Sequence, residues 1–569
     1  MAHPADMLAV MAGFVSLDFF IAVVLGVAAH LVLFIRGEWH LQAPWILVSH
    51  LACFSFTFIL LPHTASQAIT GYVVGLFSSI ITYRLFFHQL RCFPGPVRAG
   101  TTKLWHLWTL LSSSKPNHIF LQELHRRYGD FIRTGPSEIA VFHPDIFMAV
   151  DGPTSQCIKA EWYDMLHPHS ALVTARTREL HGPRRRWWTR AFNRHAQFEY
   201  QDQILPLIGQ LDACIQRDIA ADRVSDVTGL CKHLWFDRMG ALVLGKTFDM
   251  LSSPSHRFLI ARVQRALTAV GTLGLAPWLI HVAIRLLPRV WILGDYFDMI
   301  AWADREMRER LLQLVSPSQK PSTHDLASYL FAPEDQDLRA AEDKHDKDNL
   351  HHESWITGDS ILAIVAGFEP TSTAMVNVLY ELARRPSHAE KVHDEISRVP
   401  DSSMHDGQAL SRACPHLAAC IFEALRLYPP LPFIGIRKTL HEGITVAGTY
   451  IPPETTIVVP KQSIACREDC FPDATSFVPE RWTTRPDMVS NRAAFAPFGT
   501  GPRSCLGRTL AMNDMMLVGA HLVRNYHLGF AKGDPGDQVQ SNWKDKFTSN
   551  LGRLQLVFEP RGVPAGFSR

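Results

Sequence analysis

Apolar residues follow three different rhythms along this chain, and each rhythm predicts a different kind of element. In the first ninety residues, Phe19 to Ile35, Ala43 to Leu61 and Ile69 to Phe87 are almost unbroken apolar runs of about 17 to 19 residues. That is the length at which a helix crosses a bilayer. They predict an anchor of three transmembrane helices over residues 1–92; a rival arrangement has two spans and a third helix lying in the interface. Cys92-Phe93-Pro94-Gly95-Pro96 closes the anchor, because proline cannot continue a helix. A mixed rhythm follows. Pro116 to Tyr128 has helical spacing, and Asp130 to Phe142 alternates about a Gly-Pro turn as a hairpin does. Residues 200 to 312 read as amphipathic helices, Gly443 to Val459 as short strands, and Trp543 to Pro560 as a hairpin with its tip at Phe547 to Asn550. Within Trp355 to Arg385, the stretch Ile361 to Val378 is apolar on nearly every side, which predicts a buried helix. The expected fold is therefore mainly α with small β-sheets, preceded by the anchor, with residues 93–569 forming one catalytic unit.

Two segments keep more than one reading. Leu273 to Ile292 is strongly apolar, but Pro277 and Pro288 break it too early for a span. It is either a pair of core helices or access helices touching a membrane surface. Ser316 to His352 is a charged linker, and its composition predicts a solvated stretch.

Charge then orients the anchor. No Lys or Arg precedes the first run, Arg36 follows it, the second connection has none, and Arg84, Arg91, Arg98 and Lys103 cluster at the end of the third. Positive residues mark the cytoplasmic side, so three spans leave the N-terminus in the lumen and the large domain in the cytosol. Asp18 belongs at the membrane edge, because a carboxylate at mid-span is costly. A net charge of +2 over 569 residues gives no basic block for nucleic acid. Ten cysteines without a C-x-x-C pair predict neither a zinc site nor a disulfide framework.

Chemistry concentrates in Phe498-Gly-Thr-Gly501-Pro-Arg503-Ser-Cys505-Leu-Gly507, just before a helical run. A sulfur at a helix N-terminus meets free N-H groups and the dipole, which favour the thiolate. Arg503 adds positive charge, Phe498 can cover the sulfur, and Gly501 and Gly507 permit a backbone lying flat under a planar group. The pattern F-x-x-G-x-R-x-C-x-G resembles the heme-binding loop of the cytochrome P-450 family, in which a Cys thiolate is the axial ligand. The resemblance extends over roughly residues 93 to 561, with a fungal flavour in Thr134 to Ile139 and Glu161 to Leu166.

The resemblance implies further roles. Cys505 is the axial ligand of heme b, and His181, Arg185 and Arg437 hold its propionates, although the arginines around Arg185 also suit docking of an electron donor. Ala366, Gly367, Glu369 and Thr371 form the oxygen-binding groove, with the small residues leaving room for O2 and the acid and alcohol moving protons. The usual residue after the acid is Thr; here it is Pro370, which frees the Ala366 carbonyl and predicts a kink. Glu423, Arg426 and Arg481 form a buried structural triad. Phe368, Phe433, Ile434 and Phe547 contact substrate. The family's activity would be hydroxylation of a lipophilic small molecule, such as a terpenoid, sterol or other secondary metabolite. It would use O2 and electrons from NADPH, passed by a separate cytochrome P-450 reductase at the endoplasmic reticulum membrane, with a cytochrome b-type protein as a second donor. Two other readings remain: a heme-thiolate isomerase or dehydratase that needs no external electrons, and a non-catalytic heme-binding membrane protein.

Overall fold

The computed structural model describes residues 17–113, 115–290, 292–315, 325–331, 349–433 and 435–562. Most of the charged linker and Ile434 lie outside these residues. Each apolar run near the N-terminus forms a helix: α1 (Leu17–Ala28), continued by a π-helical segment to Phe34; α2 (Ala43–Leu60); and α3 (Ala65–Thr82), continued to Phe87. Helices α1 and α3 cross closely. A Cβ on Gly71 would fall 2.5 Å from the Phe19 carbonyl oxygen, and one on Gly75 2.2 Å from that of Val23. Gly71 and Gly75 are four apart, the small-residue spacing that lets membrane helices touch backbone to backbone. Phe20, Val24, Leu31, Phe56, Ile59 and Phe77 remain exposed, so the outer faces of these helices are apolar.

The loop after α1 turns back onto the large domain. Glu38 accepts two hydrogen bonds from Arg176 (2.8 and 2.9 Å) and one from Lys438 (2.7 Å), and His40 pairs with Asp164 at 2.8 Å. Helix α7 (Pro277–Leu286), from the ambiguous apolar stretch, packs beside α2, with Arg285 5.2 Å from the ring centre of Trp45. That stretch thus lies against the anchor.

Helices α4 (Arg178–Ala191), α5 (Val227–Leu244), α6 (Phe258–Leu273), α8 (Asn349–Arg384), α9 (Pro386–Ile396), α10 (Pro415–Leu427) and α11 (Arg508–Asn525) dominate the large domain. Helix α8 is also apolar enough to cross a bilayer, yet 78% of its apolar 18-residue stretch is buried in protein, so it forms the core rather than a span. It stays helical through Pro370. Arg238 of α5 pairs with Asp514 of α11 at 2.9 Å, with both buried, which ties two of these helices together.

A five-stranded sheet lies beside the helices. Its strands are β1 (Phe131–Gly135), β2 (Glu138–Val141), β3 (Ile158–Lys159), β4 (Arg437–Lys438) and β5 (Thr456–Val458), in the order β1-β2-β5-β4-β3. The β1–β2 hairpin is the alternating segment foreseen in the sequence. The C-terminal hairpin differs from expectation. Lys544–Lys546 pairs with Thr548–Asn550, so the tip is Phe547 alone, while Gln555–Pro560 joins Tyr526–Phe530 in a separate sheet. Phe547 takes φ +84°, a strained conformation for a bulky residue.

Candidate active site

The segment Phe498 to Gly507 folds back on itself. The Cys505 N-H donates to the Phe498 carbonyl (2.8 Å), and Gly499 and Gly501 supply positive φ angles of +70° and +63°. The close approach at Gly501 is to protein: a Cβ there would lie 1.9 Å from the Asp151 carbonyl oxygen. Its expected place beneath a planar group is therefore corrected, since it braces the loop against Asp151 and does not line the cavity. Gly507 caps α11 and does reach the cavity.

Cys505 opens into a largely apolar cavity of about 410 Å³, as do Phe498 and Arg503. Burial pushes its thiol up, opposed by N-H groups of Gly507 and Arg508 and by the charges of Lys461 and Arg185. The helix N-terminus favours the anion as the sequence predicts, but burial is the larger effect. A cation bound to the sulfur would offset that cost and favour the thiolate.

Helix α8 contributes Ala366, Gly367, Pro370 and Thr371 to the same cavity. Ala366 exposes its methyl to the space. Gly367 also lines it, and a Cβ there would lie 2.2 Å from the sulfur of Met239, which lines the same cavity. Glu369 points away: it is 1% exposed, lies outside the cavity lining and accepts a hydrogen bond from Gln264 of α6 at 3.0 Å. Two expected substrate contacts are also corrected. Phe368 is fully buried edge-on against Phe236, with ring centres 5.3 Å apart, and Phe433 packs with the cluster around Phe120 and Phe142. Proximity in sequence to the groove does not say which way a side chain faces. Phe547 does line the cavity, stacked on Trp162 at 5.2 Å.

The Glu423 cluster adjoins this region. Glu423 accepts from Arg426 (2.9 and 2.8 Å), Arg481 (2.9 Å), the Trp482 indole (2.8 Å) and the Val478 N-H (3.0 Å), and all three triad residues are at most 1% exposed.

A cytochrome P450 family model matches residues 99–557. The chain belongs to the cytochrome P450 family. Among its relatives is the cytochrome P450 monooxygenase notG' of Aspergillus versicolor, 31% identical over 568 residues, covering 96% of this chain and 98% of that protein. The tryprostatin B 6-hydroxylase of Neosartorya fischeri is 30% identical over 554 residues, covering 94% and 97%. The cytochrome P450 monooxygenase phqL of Penicillium fellutanum is 30% identical over 561 residues, covering 96% and 95%. The protein is a P450 monooxygenase with an N-terminal apolar helix suited to anchoring it.

The charges around the cavity allow the fit of a P450 heme to be tested. His181, Arg185, Arg437 and Arg503 all line it, joined by Lys159 and Lys461, which motif reading missed. Strand register sets Lys159 directly opposite Arg437, a like-charge pair that is unfavourable on its own. Arg437 is held by Asp151 (2.7 and 3.0 Å) and the Tyr163 hydroxyl, Arg185 donates to the Ser504 carbonyl (2.9 Å), and Arg503 to that of Cys157 (3.0 Å). Lys461 has no hydrogen-bond partner among the described residues, and burial pushes its pKa down to about 8. His181 is lowered to about 3 by burial and by Lys159, Arg503 and Arg185, so it stays neutral. Arg185, Arg437, Arg503 and Lys461, with Lys159 whose pKa burial lowers well below the ordinary lysine value, outnumber the lining carboxylates Asp151 and Asp514, the second of which is already paired with Arg238; this excess suits a ligand bearing two carboxylates and a metal for Cys505. A heme meets both demands. Lys159 and Lys461 carry no sequence signal: one is isolated in a two-residue strand, and the other opens a five-residue helix.

Proposed function

We propose that the protein hydroxylates a lipophilic small molecule of secondary metabolism with O2, using heme b bound through Cys505 and electrons from NADPH delivered by a separate reductase. The observation that carries this reading is the pairing of a cavity-facing sulfur with a surplus of cations on the same cavity wall. Heme b held there supplies reduction of O2 and insertion of one oxygen atom into the substrate.

The chain's own residues do the rest. Arg185, Arg437, Lys159 and Lys461 receive the propionates, while neutral His181 can donate a hydrogen bond to one of them. Ala366 leaves space above the metal, and the Thr371 hydroxyl, at the cavity wall one residue beyond Pro370, holds and passes protons in place of the usual Thr. The apolar walls exclude water, and the Trp162–Phe547 plate gives a flat substrate a surface to lie on. The Glu423 triad supports this site without touching it.

Three anchor helices on the endoplasmic reticulum, with residues 93–569 cytosolic, complete the proposal. Docking of the Glu38 loop onto the large domain supports it, because that loop and the domain then lie on one side of the membrane, as the positive residues require. Tryprostatin B hydroxylation, named for one relative, is consistent with a small-molecule substrate of this kind.

One observation favours a second reading. Pro370 stands where the alcohol is usual, and Glu369 is turned away from the cavity, which weakens proton delivery and is compatible with rearrangement of an oxygenated substrate without electrons. Microsomes with a reductase, screened against a metabolite library under isotopically labelled O2, separate the two readings. Label in an NADPH-dependent product supports hydroxylation; an unlabelled isomer formed equally without NADPH overturns it.

A further inference from the structure

Away from the heme cavity, three side chains from three elements converge in a second pocket of potential ligands. His388 lies in the first turn of α9, His416 at the start of α10, and Glu480 in the short Pro479–Trp482 turn. His388 Nδ1 and His416 Nε2 are 3.0 Å apart, His388 Nδ1 and Glu480 Oε1 are 3.8 Å apart, and one ligand atom from each residue falls within 4.8 Å of the other two. The imidazoles overlap with ring centres 5.2 Å apart, and Phe477 stands edge-on to His388 at 5.8 Å. Side-chain exposure of the two outer ligands is 12% for His388 and 21% for Glu480, so the group is sheltered but reachable from solvent.

These distances suit one ion. Zinc bonds to nitrogen and oxygen at about 2.0–2.1 Å in a tetrahedral shell, which places ligand atoms roughly 3.3 Å from one another. The observed 3.0 and 3.8 Å separations bracket that value. The alternative for the histidine pair is a single N-H···N hydrogen bond, with the carboxylate held beside it by Lys391. One cation competes: Lys391, a turn along α9 from His388, reaches Glu480 Oε1 at 2.6 Å. Its side chain is 54% exposed, and such a surface pair is worth little.

We propose that His388, His416 and Glu480 form a binding site for a divalent first-row metal, zinc foremost, with an open fourth position for water. The site is structural in consequence. Glu480 immediately precedes Arg481, and His416 lies on the same helix as Glu423 and Arg426, so an ion here would pin α9, α10 and the Pro479–Trp482 turn together behind the buried triad. No catalytic step is assigned to it, and the proposal does not depend on which substrate the heme site takes.

The test uses full-length heme-loaded protein, carrying no histidine tag, dialysed free of metal and then equilibrated with zinc chloride. Elemental analysis should find one zinc per heme, with a rise in melting temperature. His388→Gln should weaken zinc binding more than about a hundredfold, the upper range for disturbing even an outer-sphere partner, and abolish the melting shift while heme content stays unchanged. Lys391→Met, which frees Glu480 of its competitor, should bind zinc more tightly than the parent. Absence of stoichiometric zinc in the parent, or equal affinity in His388→Gln, overturns the proposal. Should His388→Gln not fold, Lys391→Met decides: tighter binding supports the site, and unchanged or weaker binding refutes it.

Discussion

Two buried charge clusters serve this protein in opposite ways. Around Glu423 every demand is met from within the chain. The carboxylate accepts five hydrogen bonds, and Arg426 directs its remaining donors to the carbonyls of Ala465, Ala474 and Ser476, while Arg481 reaches those of Pro472, Met488 and Asp473. Around Lys461 the demands are left open. Lysine and arginine sit directly opposite each other across two strands, Lys461 lacks a hydrogen-bond partner among the described residues, and of the two lining carboxylates Asp514 is taken by Arg238, leaving Asp151 to offset the basic wall. A closed set holds a fold in place; an unbalanced set marks where a ligand of opposite charge belongs.

The largest test of this contrast removes the centre of the closed set. Glu423→Ala leaves two guanidinium groups and an indole N-H buried without their acceptor, and breaking such a pair costs about 3–5 kcal/mol. Expression should fall and purified protein should melt at a much lower temperature; a normal melting curve would show that the triad does not hold the fold. The complementary change, Lys461→Met, should leave the fold intact, since no protein partner is lost. It should speed transfer of heme to an acceptor apoprotein, because a hydrogen bond to a charged group is worth about 1.5–3 kcal/mol. Unchanged heme retention would remove Lys461 from the cradle.

The same lysine sets a pH dependence. It holds its proton less tightly in the folded chain than in the unfolded one, so stability of the heme-free protein is lowest below about pH 8 and rises toward the ordinary lysine value of 10.5. Lys461→Met should flatten that rise in chemical denaturation curves. A smaller effect is expected at Thr371, which faces the cavity without carrying charge. Thr371→Ala should lower product formed per NADPH consumed several-fold with little change in heme content, and unaltered coupling would exclude its hydroxyl from proton delivery.

Sequence alone exposed the parts of the site that are contiguous. The Cys505 loop was legible because its chemistry fits in ten residues, and the three apolar helices were legible because an unbroken apolar run is a local property. The cradle was not. Lys159 and Arg437 are 278 positions apart and meet only through strand register, which no motif encodes. Facing was the other blind spot. Phe368 sits in the middle of the oxygen-groove segment yet turns to Phe236, and Met239 of α5 stands where a side chain on Gly367 would go. The anchor's packing was half visible, since the Gly71 and Gly75 spacing is written in the sequence but the helix that fills it is not.

The most direct test is the carbon monoxide difference spectrum of the reduced protein. Binding of heme iron by the Cys505 sulfur predicts a Soret band at the thiolate position in the parent, and its loss in Cys505→Ala protein that still expresses. A parent spectrum without the thiolate band, or a band that survives in Cys505→Ala, would contradict the account.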